Sequence, residues 1–284
     1  MAVAQLISPE VLSQRLEQPG LVILDCRFAL EDGDYGRASY AEGHIAGAQY
    51  ADLERDLSGP VIKGKTGRHP LPDPHVLVKR LQAWGISPDS DVVLYDDGPG
   101  AFAARAWWLL VWLGKRDGVF ILDGGLKAWH KAGLPLSLDA VTVEPGTFEG
   151  VPDRHLVVDA EHLQKRLGQP AMTLIDARAL PRFRGEVEPI DPVAGHIPGA
   201  QCAAFNENLG TDGRFLPVEQ LKQRFAQLLA GRSPEDLVAY CGSGVTACHN
   251  LFALSLAGYP LGTLYPGSWS EWINHPEHGI ATGD

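Results

Sequence analysis

The fold of this chain is decided by one stretch, Val238-Ala239-Tyr240-Cys241-Gly242-Ser243-Gly244-Val245-Thr246-Ala247. Residues Leu237 to Tyr240 form a short apolar run of the length that is typical of a buried strand. An apolar pattern with helical period extends from Thr246 to Ala257, and Gly258 stands where a helix C-cap is expected. The stretch therefore predicts a strand that ends at Cys241, a loop that contains two glycines, and a helix.

Cys241 is the candidate nucleophile of the chain. Between a strand end and a helix start, a side chain meets backbone N–H groups and the positive end of the helix dipole. Both stabilise negative charge, so we expect Cys241 to react as a thiolate. Gly242 and Gly244 are expected to curve the backbone around whatever the sulfur carries, because glycine adopts positive φ without steric cost. The alternative is an inert cysteine buried on a tight turn.

Length and composition limit the possible functions. The 284 residues exceed one typical core and predict two domains, and 45% hydrophobic with 21% charged residues is ordinary for a globular protein. A net charge of −11 argues against a nucleic-acid or anionic-membrane partner. The start of the chain lacks the features of a signal peptide, and the apolar segment 101–113 is too short to span a bilayer. Four cysteines without CxxC or zinc spacing predict reduced thiols, a cytoplasmic location and no metal.

The chain contains two copies of one sequence pattern. Four blocks recur in the same order at a spacing of about 150 residues, which indicates a tandem duplication. The matching blocks are Asp25-Cys26-Arg27 with Asp176-Ala177-Arg178, Gly43-His44-Ile45 with Gly195-His196-Ile197, Tyr95-Asp96 with Tyr240-Cys241, and Gly124-to-Trp129 with Gly267-to-Trp272.

Each copy alternates short apolar strands with helical stretches, and Ser8 and Asp159 are placed to cap the first helix of each copy. The alternation predicts an α/β protein with two mainly parallel sheets, each flanked by helices on both faces. Ligands of such sheets bind at the carboxyl ends of the strands, where Cys241 lies. We expect a non-catalytic first domain at residues 1–136, a linker at 137–153 and a catalytic second domain at 154–284.

Comparison of the two copies separates architecture from chemistry. Features present in both copies are explained by the fold. We expect the ion pairs Asp25–Arg27 and Asp176–Arg178, and we expect His44 and His196 to hold loops in place through polar contacts. The nucleophile is present only once, because Asp96 stands where the second copy has Cys241. We therefore expect the first domain to form one wall of the site. Four further residues are predicted to be structural: Cys248, Trp107, Trp108 and Trp112. His249 is predicted to be either structural or exposed.

The duplicated D-x-R and G-H-I-x-G-A blocks and the C-terminal cysteine loop resemble the two-domain rhodanese-type sulfurtransferases over nearly the whole chain. The fold that this implies is a pair of tandem rhodanese-like domains. The loop Cys241 to Thr246 is similar to the form associated with 3-mercaptopyruvate enzymes. Thiosulfate-using members tend to carry Arg and Lys where this chain has Gly242 and Ser243.

The resemblance implies roles for individual residues. It implies a persulfide on Cys241, held by the loop residues Gly242, Gly244, Val245 and Thr246, and a donor carboxylate bound by Arg182. It also implies a relay from Ser243 to His69 and an acid, for which Glu54 and Asp52 both match by position. His69 lies in a basic loop that reaches the cleft or is merely solvated.

The sequence departs from this family at one position. A second carboxylate-binding arginine is expected shortly before the second Gly-His-Ile block, and that place holds Ile190. Either one of the two carboxylate contacts is missing, or Arg184 replaces it by reaching in from the adjacent loop.

The expected reaction is a double displacement that needs no cofactor. Sulfur moves from 3-mercaptopyruvate to Cys241 and then to a thiol acceptor such as thioredoxin, or to cyanide, with release of pyruvate. Thiosulfate as the donor is the alternative, and a non-catalytic sulfur-binding module is a weaker one. A phosphatase of the same fold would need C-x5-R, and Ala247 stands at the arginine position.

Overall fold

A computed structural model describes residues 3–284, in which each copy forms its own sheet. The first sheet has five strands in the order β1-β5-β4-β2-β3, and every neighbouring pair is parallel. The elements of the first copy are β1 (Gln5–Ile7), α1 (Pro9–Ser13), β2 (Leu21–Asp25), α2 (Tyr35–Glu42), β3 (Ala48–Tyr50), α3 (Pro74–Ala83), β4 (Asp91–Tyr95), α4 (Ala101–Trp112), β5 (Val119–Leu122) and α5 (Gly125–Lys131).

The second sheet has four parallel strands in the order β7-β6-β8-β9. The elements of the second copy are α6 (Ala160–Arg166), β6 (Thr173–Asp176), α7 (Leu180–Phe183), β7 (Gln201–Cys202), α8 (Val218–Leu229), β8 (Leu237–Tyr240), α9 (Thr246–Leu256), β9 (Thr263–Leu264) and α10 (Ser268–Trp272). Short 3₁₀ helices cover Arg154–Leu156, Phe205–Asn208 and Pro234–Asp236.

Both faces of each sheet are covered, as predicted. Along β2, Val22 and Leu24 belong to one hydrophobic cluster whereas Ile23 belongs to another, because successive side chains of a strand point to opposite faces. In β8, Ala239 joins the first of these clusters and Val238 joins a third. Continuous apolar strands are the expected sequence of a parallel sheet that is buried on both sides.

The local features that the copies share are confirmed. Oγ of Ser8 accepts a hydrogen bond from the Val11 amide, and the Asp159 carboxylate accepts one from His162. The ion pairs Asp25–Arg27 and Asp176–Arg178 form at 2.5 and 2.6 Å. Each arginine also donates to the carbonyl of the glycine that begins the Gly-His-Ile block of its copy. Three elements are absent from the sequence-based expectation: strand β1, which adds an edge to the first sheet, helix α2, and the four-residue helix α7.

The two copies are joined through α4 and α9, which pack against each other. Trp107 of α4 and Phe252 of α9 are fully buried, and their ring centroids lie 4.9 Å apart in perpendicular orientation. Residues from both copies therefore form one continuous apolar cluster. Within residues 3–284, no helix combines the length and the apolar character needed to cross a membrane.

Residues 137–153 contain no helix or strand, and their backbone follows the surface of the first copy. The amide of Ser137 donates to the His44 carbonyl at 2.8 Å, and the amide of Asp153 donates to Trp112 at 2.8 Å. Phe148 is buried in the cluster that α4 helps to form. The segment is thus tied to the first copy along its length, and its role as a linker stays a prediction.

Because one apolar cluster spans both copies, we expect the protein to unfold in a single transition. Replacement of Phe252 by alanine leaves a cavity at the contact with Trp107 and should lower the free energy of unfolding by about 3–5 kcal/mol. Calorimetry should show one shifted transition, and the exposed-site variant Val76→Ala should stay within about 0.5 kcal/mol of the wild type. Two separate transitions, one unaffected by Phe252→Ala, would contradict the shared core.

Candidate active site

The sulfur of Cys241 lies at the carboxyl end of β8, directly before α9, and the residue is 2% exposed. Its Sγ accepts hydrogen bonds from the amides of Ser243 at 3.4 Å and Gly244 at 3.1 Å. Gly244 has a φ of 78°, and a Cβ there would lie 2.5 Å from the carbonyl oxygen of Pro266. Glycine at 244 is therefore required on both conformational and steric grounds.

Gly242 serves a different purpose from the one predicted, because its φ lies outside the positive range that favours glycine. A Cβ at this position would come within 2.8 Å of Nη2 of Arg68, a residue of the first copy. Glycine at 242 therefore provides room for the guanidinium group of Arg68 beside the cysteine.

Hydrogen bonds to the start of α10 hold the backbone of the Cys241 loop in place. The Cys241 amide donates to Oγ of Ser268 at 3.1 Å, and the amide of Trp269 donates to the Cys241 carbonyl at 2.9 Å. Ser270 donates in the same way to the carbonyl of Gly242 at 3.0 Å. Ser268 has a φ of 55°, matching the φ of 56° at its first-copy counterpart Gly125, so both copies use the same turn.

Cys241 opens into a cavity of about 330 Å³ that both copies line. Ser243, Val245 and Thr246 contribute from the loop, together with Arg182 and Ile190. The first copy contributes Leu30, Arg68, Pro99, Ala101 and Phe102. The prediction that the first domain forms a wall of the site is confirmed.

Ser243 and His69 are brought together across the domain interface. Nδ1 of His69 lies 2.8 Å from Oγ of Ser243, and both residues are buried. Burial, and then the positive charges of Arg105 and Arg68, lower the pKa of His69 to about 3. His69 is consequently a neutral imidazole at ordinary pH.

The acid that was expected to pair with His69 does not do so. Asp52 accepts hydrogen bonds from the amides of Glu54 and Arg55, which close its own turn, and Glu54 is exposed. Among the described residues, neither carboxylate bonds to His69, so the predicted three-residue relay is reduced to Ser243 and His69. The charged groups beside the imidazole are cations instead.

Arg182 lines the cavity and belongs to a network of charges. Its Nε and Nη2 donate to the Glu188 carboxylate at 3.2 and 2.6 Å, and Nη2 also reaches Asp191 at 3.3 Å. Asp191 in turn pairs with Arg68. Glu188 also contacts Arg178, whose guanidinium stacks on Trp269 at 4.8 Å.

Arg184 is not part of the site, which corrects the prediction that it binds the substrate. Its guanidinium pairs with Asp284 at 2.5 Å and faces Glu186 at 3.9 Å, on the outside of the second domain. The side chain two residues after Arg182 is turned away by the helical geometry of α7. Ile190 does line the cavity, but it brings no charge.

Arg105 is a site residue that the sequence reading missed. It lies fully buried in α4, and Nη1 donates to the carbonyl of Gly244 at 3.1 Å. Nη2 donates to the carbonyls of Leu57, His69 and Pro70 at 3.1–3.3 Å. Arg105 therefore clamps the loop of His69 against the loop of Cys241. The available signal was a single charge in the otherwise apolar segment 101–113.

The matching loop of the first copy encloses a carboxylate. Oδ1 of Asp96 accepts from the amides of Gly98 and Gly100 at 3.0 and 2.9 Å, and Oδ2 accepts from Phe102 and Ala103 at 3.0 and 3.4 Å. Burial raises the pKa of Asp96, although these N–H groups act to lower it. The fold thus builds a ring of amide donors at the same point in both copies.

The remaining candidates have structural surroundings, as predicted. Cys248 is buried, burial raises its pKa to about 12, and its Sγ donates to the Gly244 carbonyl. His249 is buried and lies 2.8 Å from the carbonyl oxygen of Pro99, and burial lowers its pKa to about 4. His44 and His196 bond to the carbonyls of Tyr40 in α2 and Phe183 in α7. Trp107, Trp108 and Trp112 are buried.

In the described part of the chain, one group of side chains could hold a metal ion, and it lies outside the cavity. Nitrogens of His275 and His278 and a carboxylate oxygen of Glu277 lie within 4.8 Å of one another just after α10. Glu277 is exposed. The chemistry of Cys241 makes no use of this group.

The chain matches known proteins along nearly its whole length. A family model described as "Rhodanese-like domain" matches residues 8–132 and 159–275. Over 284 residues, the whole of both chains, the sequence is 69% identical to a "Probable 3-mercaptopyruvate sulfurtransferase" of Pseudomonas aeruginosa. It is 35% identical over 274 residues to a thiosulfate sulfurtransferase of Cricetulus griseus, covering 93% of this chain and 90% of that one. The solved 3-mercaptopyruvate sulfurtransferase from Leishmania major aligns with a TM-score of 0.82 and 30% identity, over 96% of this chain and 75% of that chain.

The two buried neutral histidines predict an acid-sensitive fold. The pKa of His69 is about 3 and that of His249 about 4 in the folded state, below the ordinary 6.5, so the unfolded chain binds protons first as the pH falls. Their contribution to the free energy of unfolding is complete above pH 6.5. Below that pH it declines by about 1.4 kcal/mol per pH unit for each histidine. The free energy of unfolding measured with urea should therefore be lower at pH 5 than at pH 7.5, by roughly 2 kcal/mol per histidine.

The variant His249→Gln should reduce this pH dependence, whatever its stability at pH 7.5. His130→Gln, which changes an exposed histidine, should leave it unaltered. Equal pH dependence in the wild type and in His249→Gln would show that His249 is not held neutral by burial.

Proposed function

The chain belongs to the rhodanese-like domain family, and we propose that it is a sulfurtransferase that takes sulfur from 3-mercaptopyruvate. Cys241 would carry the sulfur as a persulfide and pass it to a thiol or to cyanide. The observation that carries this proposal is the position of the Cys241 sulfur, which faces the amides of Ser243 and Gly244 in a cavity that also contains Arg68 and Arg182.

In the first half-reaction, the Cys241 thiolate attacks the sulfur of the donor. A sulfur–sulfur bond forms while the carbon–sulfur bond of mercaptopyruvate breaks, and the electrons of the broken bond leave with the carbon as the enolate of pyruvate. The enolate then needs a proton. Ser243 can supply a hydrogen bond or a proton from its Oγ, and the neutral His69 that lies 2.8 Å away can return a proton to it through Nδ1 while taking one up at Nε2. The S–H group of the donor is the source of this proton, because the transferred sulfur is left as an anionic persulfide.

The persulfide is an anion at neutral pH and needs hydrogen-bond donors around its outer sulfur. The first copy offers a guide to their position, because both oxygens of Asp96 are held by the amides of its loop and of the first turn of α4. A persulfide at Cys241 extends further than a thiol and would meet the amides of Val245 and Ala247, which correspond to those of Gly100 and Phe102. The first N–H groups of a helix have no acceptor within the helix and are suited to this role.

In the second half-reaction, an acceptor removes the outer sulfur and restores the thiolate. A thiol such as that of reduced thioredoxin, or cyanide, can act as this nucleophile, and the result is ping-pong kinetics. The four cysteines of the chain are unpaired thiols in the described structure. Unpaired thiols suit a reducing compartment, so we place the reaction in the cytoplasm.

Thiosulfate is the second candidate donor, and one observation favours it. Its leaving group is sulfite, a dianion that benefits from a cation beside the cysteine, and Arg68 reaches that place from the first domain. Asp191 offsets part of the charge of Arg68, and Gly242 and Ser243 add none. Ser243 and His69 have no function in the departure of sulfite, which needs no proton. We therefore favour mercaptopyruvate.

Steady-state rates with the two donors test this assignment. We expect kcat/KM for mercaptopyruvate to exceed that for thiosulfate by at least about tenfold, equivalent to roughly 1.4 kcal/mol in the transition state. In Ser243→Ala, kcat for mercaptopyruvate should fall much more than kcat for thiosulfate, because only the enolate requires a proton. A wild-type enzyme that used thiosulfate faster at equal concentration would make thiosulfate its donor. Activity with neither donor would contradict the proposed function.

A further inference from the structure

The segment that follows α10 carries two histidines and a glutamate on one turn. Its sequence is His275-Pro276-Glu277-His278, and the amide of His278 donates to the carbonyl of His275 at 3.0 Å. Proline at the second position of such a turn has its φ already fixed near the required value. The two imidazole rings of the turn stack, with their centroids 4.6 Å apart and an angle of 28° between their planes.

The turn is anchored to the core of the second domain through Trp272. The His275 amide donates to the carbonyl of Trp272 at 3.2 Å, and Nε1 of Trp272 donates to the carbonyl of Gly279 at 2.9 Å. The indole ring also packs on His278, at a centroid distance of 4.0 Å. Because Trp272 is fully buried, a fixed side chain holds both ends of the turn and one of its rings.

Three side-chain atoms that can bind a metal lie close together on this turn. Oε1 of Glu277 lies 3.4 Å from Nδ1 of His275 and 4.0 Å from Nε2 of His278. One nitrogen of each histidine and a carboxylate oxygen all lie within 4.8 Å of one another. Zinc–ligand bonds of about 2.0–2.2 Å at tetrahedral angles place the ligand atoms roughly 3.3–3.6 Å apart. The side chains of His275 and Glu277 are 35% and 67% exposed, so small rotations of these two close the difference.

His278 differs from the buried histidines elsewhere in the structure. Four of those bond to oxygen atoms of other residues: His44, His69, His196 and His249. The side chain of His278 is only 5% exposed, yet its Nδ1 is buried without a hydrogen-bond partner among residues 3–284. A bound ion is one of the few explanations of such an atom in a folded protein.

We propose that His275, Glu277 and His278 bind one zinc ion, with water as the fourth ligand. Two imidazoles and a carboxylate are donors that zinc prefers, and three protein ligands leave one position of a tetrahedral site open. The site contains no cysteine, so the cysteine spacing from which no metal was predicted gave no sign of it. It lies outside the cavity of Cys241, and zinc here takes no part in sulfur transfer.

Zinc at this turn holds the end of the chain to α10. After the turn, Ala281 pairs with His196 through two backbone hydrogen bonds of 2.8 and 3.0 Å. Before the turn, amides at the start of α10 donate to carbonyls of the Cys241 loop. Because zinc binds the ordered turn more tightly than the unfolded chain, it should raise the melting temperature of the protein.

Isothermal titration calorimetry with Zn²⁺ tests the site in the full-length protein. The background is Cys241→Ser, which removes the reactive thiol as a competing zinc ligand, while the other three cysteines are common to every protein compared. We expect one zinc ion per chain with micromolar affinity. His275→Gln and Glu277→Gln should each weaken binding at least about tenfold, because loss of an outer-shell partner alone costs about ten- to a hundredfold.

His162→Gln is the matched control, because His162 also lies beside a carboxylate, that of Asp159 at 2.7 Å, on the exposed surface. Its zinc affinity should equal that of the Cys241→Ser background. Zinc should raise the melting temperature of the background and of the control. It should leave the melting temperatures of His275→Gln and Glu277→Gln, both measured in the same background, unchanged.

Two results would overturn the assignment. One is the absence of saturable binding up to millimolar zinc in the Cys241→Ser background. The other is zinc binding, or a zinc-dependent rise in melting temperature, that persists unchanged in both His275→Gln and Glu277→Gln. That result would place the ion at cysteines or at other histidines of the chain.

Discussion

The buried guanidinium of Arg105 holds the catalytic arrangement together. No carboxylate pairs with it among residues 3–284, and burial of a charge is costly unless hydrogen bonds replace those of water. Carbonyl groups of two loops supply these bonds: Gly244 beside the cysteine, and Leu57, His69 and Pro70 in the first domain. Because the Arg105 side chain donates hydrogen bonds to both loops, it fixes the position of His69 relative to Ser243. The same charge helps to keep His69 neutral.

The two copies show what the fold supplies and what one residue adds. Each copy ends a central strand at a ring of backbone amides that faces the start of a helix, and such a ring attracts negative charge. In the first copy the Asp96 carboxylate fills the ring with its own oxygens. In the second copy Cys241 is shorter and bonds to only two amides, which leaves room for a sulfur carried on its thiol. The residue at the strand end, Asp96 in one copy and Cys241 in the other, therefore decides whether the ring of amides is filled or open.

Much of the fold could be predicted because it depends on local pattern. The apolar runs of β2, β4, β6 and β8, the helix caps at Ser8 and Asp159 and the repeated ion pairs are encoded within a few residues of each other. Strand β1 was missed because three residues without a clear pattern give no signal of their own. Helix α2 was missed because its sequence, Tyr35 to Glu42, has little apolar periodicity and buries only Gly36.

The site was harder to predict, because its residues meet only through packing between the domains. Cys241 follows from its loop, and the family resemblance implies Ser243 and Arg182, but Arg68 and Arg105 reach the site from the first copy. The positive charge that the Cys241 loop lacks is present beside it, on Arg68. Arg184 was placed in the site by sequence proximity to Arg182, yet the turn of α7 directs it to Asp284. The role of Gly242 also depends on a residue 174 positions away, by the spacing of Arg68 and Gly242.

The central claim is that sulfur travels on Cys241, and mass spectrometry of the donor-treated protein tests it most directly. After treatment with mercaptopyruvate and removal of excess donor, digestion under non-reducing conditions should give one added sulfur atom, on the peptide that contains Cys241. The variant Cys241→Ser should take up none while keeping its thermal stability. Added sulfur on Cys26, Cys202 or Cys248 instead of Cys241 would contradict the account.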